Sequence, residues 1–235
     1  MVLESPEAMR MWTYFTQHIL DINNFHILYK TEFIPAANKT VALVKNDFIK
    51  SKYKSLINAT DIDLKESLYE TIRFGYVGLF HKIEGFTKGI KRNNNLLIDA
   101  YEIEGDFKLA DYLEDILSID FLNPINIPSL NKIRIISNAV KHNNGYPQIA
   151  DKEKDDIKKY MSWIDMNSKI NIESKSFLID IKSTIQYFEF VNTLIHTFSL
   201  LYVMFESEDI VDDNSREMRD DIINKFKKGV DLYTK

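Results

Sequence analysis

A chain of 235 residues with 45% apolar side chains can bury a core, which excludes a disordered segment. Its net charge of −5 excludes coating of nucleic acid by bulk electrostatics, but leaves room for a local site that handles one phosphate. Seven Gly and five Pro are too few for the frequent turns of an all-β fold, so helices are expected.

Ser5-Pro6-Glu7 is a start signal, with Ser as cap and Pro at the first helical position, and it predicts a helix over 5–33 that Pro35 ends. A shorter helix is expected over 41–57, with a basic side formed by Lys45, Lys50, Lys52 and Lys54. From Asp61 to Lys91 the apolar residues Leu64, Leu68, Ile72, Val77, Leu79, Ile83 and Phe86 largely keep the helical period. Gly75, Gly78, Gly85 and Gly89 lower helix propensity there, so close packing against a neighbour is expected. "RNNN" at 92–95 reads as a break, 106–119 as an amphipathic helix, and "NPINIP" at 123–128 as a boundary. Ser129 can cap the helix that runs to His142.

Ile170 and Ile172 alternate, as do Phe177, Ile179 and Ile181, which predicts a short β-hairpin. A long helix over 184–205 and a charged one over 213–228 follow. The apolar run from Ile185 to Phe205 is interrupted by Glu189, Asn192 and His196, costly in lipid, and is read as a core helix. His196 is expected to be a satisfied core histidine. Without Cys, disulfides, thiolate metal sites and cysteine nucleophiles are excluded, which fits a reducing, cytoplasmic setting. "MVLESPEAMRMW" lacks a basic region followed by an apolar run, so no secretory signal is expected.

The stretch "ISNAVKHNNGYP" at 136–147 carries the functional question. At 100° per residue, Ile133, Ile136 and Val140 form one side of a helix, while Arg134, Asn138 and His142 share an outer arc with Lys141 at its edge. A guanidinium, a carboxamide and an imidazole thus stand in a row, one turn apart.

A long helix such as "YETIRFGYVGLFHKIEGF", then a helix ending "NAVKHNNG", a short hairpin and further helices, resembles the HEPN superfamily. The resemblance spans about 60–210 in element order. It implies an all-α bundle; with no repeat, linker or low-complexity segment in the sequence, a single domain over 1–235 is expected, with helices at 5–57 and 213–228 packed on the core. It also implies a homodimeric, metal-independent endoribonuclease of a toxin–antitoxin, stress or anti-phage defence system, acting on RNA without a cofactor or a membrane, with an antitoxin or defence protein as partner. Mapped here, His142 is the acid or base, Asn138 the positioning residue and Arg134 a displaced phosphate clamp, with Lys141, Asn143 and Ser137 beside the substrate. The chain departs from the family at Ser137, which stands where the family's Arg immediately precedes the Asn. The alternative is a non-catalytic HEPN-like module that binds a partner protein or RNA.

Plainer readings stand beside these. His142 can donate to the last carbonyls of its own helix, and Asn143-Asn144-Gly145 is good cap chemistry whatever the function. Arg73 and His81 are again eight residues apart, but in an aromatic, Gly-rich helix where packing explains them. His18 and His26 lack a carboxylate at ligand spacing, so no metal is expected. Lys88, Lys91, Arg92 and the lysines of 45–54 read as solvated faces, and as RNA paths if the site is real. No GxxxxGK[ST], GxGxxG or GxSxG pattern occurs.

Overall fold

Helices account for nearly all regular structure in a computed structural model that describes residues 5–52, 63–147, 157, 159, 161–205 and 213–235. In chain order they are α1 (Pro6–Leu28), a π-helical turn (Tyr29–Phe33), α2 (Ile34–Lys50), α3 (Glu66–Arg92), α4 (Asn94–Tyr101), α5 (Leu109–Leu117), a 3-10 turn (Pro124–Asn126), α6 (Pro128–Asn143), α7 (Ser174–Phe205) and α8 (Asp213–Thr234). The all-α expectation holds among the described residues, where no strand occurs.

The start signal works as expected: the Ala8 N–H donates to Ser5 Oγ at 3.0 Å. Pro35, however, does not end the first helix. The chain widens into the π-helical turn, where the Ile34 N–H reaches the Tyr29 carbonyl, and Pro35 occupies the opening turn of α2. A proline ring normally collides with the carbonyl four residues back, and the wider turn removes that conflict. Asp61 and residues 53–57, expected in helices, lie outside the described residues.

The predicted hairpin does not form. Residues 170–173 are irregular, and α7 begins at Ser174. Phe177 and Ile181 are buried one turn apart, whereas Ile179 is 52% exposed. Over so few residues, alternation and an i, i+4 pair look the same, and the helix wins because Phe177, Ile181, Thr184 and Phe188 extend one buried stripe. The apolar helix thus starts ten residues earlier than expected. It is the one helix among the described residues long and apolar enough, by length and composition, to cross a membrane.

The chain divides into two compact units. The first comprises residues up to Asp21, His81–Asn131 and Ser183–Lys235. Its core stacks Phe86 on Phe188 with centroids 3.9 Å apart, and Phe15 meets Phe86 edge-on. A Cβ at Gly89 would collide with the Tyr14 ring and hydroxyl, which explains a glycine inside α3. Tyr187 is wholly buried and donates to the Phe121 carbonyl at 2.8 Å. The expected break at 92–95 narrows to Asn93. Asn94 already opens α4, and its carboxamide spans the next loop, donating to the Phe107 carbonyl and accepting from the Leu109 N–H at 3.0 Å each.

The second unit comprises Ile22–Phe80 and Lys132–Lys182. Phe177 is its hub, with Tyr76, Tyr29 and Phe25 around it at 4.8, 5.0 and 6.5 Å between centroids. Gly75 is required there because a Cβ would run into the Phe177 ring. Beside this hub the buried Asp180 accepts from Tyr76 Oη and from Lys132 Nζ, the latter at 2.6 Å. A buried carboxylate with both a cation and a hydroxyl on it is a satisfied one.

Candidate functional site

α6 is more deeply embedded than its wheel predicts. Leu130, Asn131, Ile133, Ile135, Ile136, Ser137 and Ala139 are all buried, and only its last turn, Lys141–Asn143, is exposed. The outer arc is flanked by packing: Ile135 joins a small core with Ile157 and Met161, against which Ile164 rests. Arg134 and Asn138 are consequently half-buried, and His142 alone of that row stands exposed.

Ser137 faces the core at 0% exposure, with its Oγ bonded to no partner among the described residues. It therefore does not reach the surface that Asn138 and His142 share, which removes it from the substrate-facing set. Asn143 is also engaged: its carboxamide donates to the Tyr146 and Pro147 carbonyls at 3.2 and 3.4 Å. Lys141 is exposed and sets its amine 5.4 Å from the centroid of the Phe80 ring, a cation–π contact.

The helix end itself is built from "NNG". Asn144 and Gly145 both have positive φ, 51° and 85°, and the Gly145 N–H turns back to the Ala139 carbonyl at 3.0 Å. The Gly145 carbonyl accepts from the Ile170 N–H at 2.9 Å. His142 hydrogen-bonds to none of the carbonyls of α6 among the described residues, so the cap belongs to the backbone and to Asn143 rather than to the imidazole. The cap explains the loop; it does not explain the histidine.

Behind the loop stands Arg73, 3% exposed, which composition and spacing left as packing. Its guanidinium donates to Glu70 at 2.9 Å, to Asn171 Oδ1 at 2.9 Å and to Glu66 at 2.5 Å, and Lys169 reaches the same Glu66 carboxylate at 3.0 Å. Burial alone would raise the Glu66 carboxyl, but the Lys169 and Arg73 cations beside it more than offset this and hold it below the usual range. A Cβ on Gly145 would come within 3.0 Å of Arg73 Cδ, so the side chain lies directly under the loop. Glu66, Glu70 and Arg73 at i, i+4 and i+7 share one face of α3, the signal from which this brace could have been read.

Elsewhere, His18 donates from Nδ1 to the Tyr14 carbonyl at 3.0 Å, and His196 is only half satisfied, with Tyr101 on Nδ1 and nothing on Nε2 among the described residues. No three His, Asp or Glu side chains come together as a metal site among the described residues. The geometry at the α6 end thus supplies an exposed imidazole, a nearby ammonium and a half-buried carboxamide on a rigid cap. Compared with known protein families, with curated proteins and with solved structures, the chain has no significant match.

Proposed function

We propose that the chain is an HEPN-like helical protein whose α6 end contacts RNA, and that it acts as a binding module rather than as a nuclease. The observation that carries this reading is Ser137. The position where the resemblance places an Arg is uncharged and wholly buried. Arg134 is eight residues from His142, about 12 Å along the helix axis, too far back to take over the role of a clamp beside the imidazole. Phosphate contact needs only a few donors and some positive charge, which His142, Lys141 and Asn138 can offer. Cleavage needs a cation fixed on the same phosphate as the acid or base, to offset charge as it builds, and Lys141, engaged with the Phe80 ring, lacks the bidentate grip of a guanidinium. Pairing of two copies, and an antitoxin or defence protein as partner, belong to the same proposal through the resemblance.

The test separates binding from cutting. Single-stranded RNA labelled with a fluorophore is titrated with the full chain at low salt, and the same RNA is incubated for hours with and without chelator. Binding that weakens with salt and falls several-fold in Lys141→Ala and His142→Ala, with RNA left intact, supports the module. Cleavage that survives chelator and disappears in His142→Ala overturns it in favour of the nuclease. Absence of both binding and cleavage overturns the RNA reading itself.

A further inference from the structure

We infer that the first unit encloses a site for one small, neutral, hydrogen-bonding molecule, a water, held between Asn192 and His196 of α7. These residues stand at i and i+4, so their side chains are neighbours one turn apart on one face of the helix. Asn192 Oδ1 and His196 Nε2 are both buried, and neither has a protein partner among the described residues. Buried polar atoms are almost always bonded to protein or to ordered water. Two such atoms on adjacent turns of one face call for a shared partner.

The chemistry of the two fixes what that partner is. Tyr101 Oη lies 2.5 Å from His196 Nδ1. Burial pushes the Tyr101 hydroxyl up to about 12 and lowers the imidazole below its ordinary value, so the phenol keeps its proton and the ring stays neutral. Tyr101 Oη has no other acceptor among the described residues, so its hydroxyl donates and Nδ1 accepts, which places the imidazole proton on Nε2. That N–H is a donor without an acceptor, and Asn192 Oδ1, one turn earlier, is an acceptor without a donor. Side chains four apart on a helix are near neighbours, but these two do not bond directly, and one oxygen between them satisfies both. A water can accept from His196 Nε2–H and donate to Asn192 Oδ1, within the two to four bonds usual for an internal water. A cation would face the Nε2–H and an anion would face Asn192 Oδ1, so the occupant is neutral. Phe15, edge-on to the imidazole with centroids 5.5 Å apart, closes part of the surround with apolar surface.

The experiment is nuclear magnetic resonance on the full chain labelled with 15N-histidine. Long-range proton–nitrogen spectra report the tautomer of His196, identified by the signals lost in His196→Gln, and water-selective cross-relaxation reports a water beside its Nε2 proton. The expected result is a neutral ring protonated at Nε2, with a slowly exchanging proton and a cross-peak to a water that stays longer than surface water. Asn192→Leu is expected to remove that cross-peak while the Nδ1 resonance, set by Tyr101, keeps its position. A proton on Nδ1, an Nε2–H too quickly exchanged to be seen, or an Nε2–H with no water contact each overturns the site. The wild-type spectra decide the matter even if Asn192→Leu fails to fold.

Discussion

Replacing Gly145 by Ala isolates the brace under the α6 end. The residue sits at φ 85°, and a non-glycine residue in the left-handed region costs about 1–2 kcal/mol. The new methyl would stand 3.0 Å from Arg73 Cδ and 3.3 Å from its Nε, tighter than ordinary van der Waals contact. Arg73 is not free to yield, because its guanidinium is fixed on Glu66, Glu70 and Asn171, and crowding of this kind costs about 1–3 kcal/mol. Lower entropy of the unfolded chain returns about 0.4–1 kcal/mol. The net loss is about 1–4.5 kcal/mol, or roughly 2–18 °C in Tm for a chain of this size. Urea unfolding followed by circular dichroism gives the difference, with Asn144→Gly as the companion. Asn144 is left-handed too, at φ 51°, so glycine there should be neutral or slightly stabilising. If Gly145→Ala unfolds within about 0.5 kcal/mol of wild type, the contact with Arg73 is not tight and the account of the loop fails.

Arg73→Leu should cost about 2–3 kcal/mol, because it leaves Asn171 and Glu70 without the guanidinium and Glu66 with Lys169 alone; Glu66 and Glu70 are partly exposed, which keeps the loss below that of a fully buried pair. Phe177→Ala should cost about 3–5 kcal/mol in the same assay, since it empties the hub of the second unit. His196 makes stability depend on pH with a definite sign. Its folded pKa lies below 6.5, so between that value and 6.5 the unfolded chain binds more protons, and stability falls as pH drops through this window. Urea midpoints for His196→Gln minus wild type, taken from pH 7.5 to 5, should show that slope reduced, and an unchanged slope would contradict a neutral buried ring. His142→Ala should change stability by less than about 0.5 kcal/mol, because the imidazole is exposed and takes no part in the cap.

The helices were legible because burial imposes a period, and the Ser5-Pro6 start because capping is local. The hairpin was misread because Ile179 and Ile181 alternate over too short a span to separate a strand from a helix. Pro35 was misread because a proline's local preference was overridden by the helix widening around it. At the candidate site, the row Arg134, Asn138, His142 was legible as spacing, but its exposure was not. A wheel assumes that only one side of a helix is covered, and α6 has neighbours on both, including Ile157 and Met161 against Ile135. Of the brace at Arg73, only the local set Glu66, Glu70 and Arg73 was readable; Lys169 and Asn171 join it from about a hundred positions away in sequence, which no local pattern supplies.

The turn at Tyr29–Phe33 also sets the angular phase of the chain. Taking Ile22 as zero on a regular helix at about 100° per residue, Tyr29 falls near −20°, but Ile34 and Ala37 would fall near 120° and 60°, off the buried side. One additional residue in a single turn subtracts about 100°, which brings Ile34 to about 20° and Ala37 to about −40°. All four are buried. The π-helical turn thus works as a one-residue clutch, letting a sequence out of step with its own apolar stripe re-engage it. Deleting one residue from this turn would leave an ordinary helix with Ile34 and Ala37 still on that stripe, at about 20° and −40°, because the turn and the additional residue cancel each other.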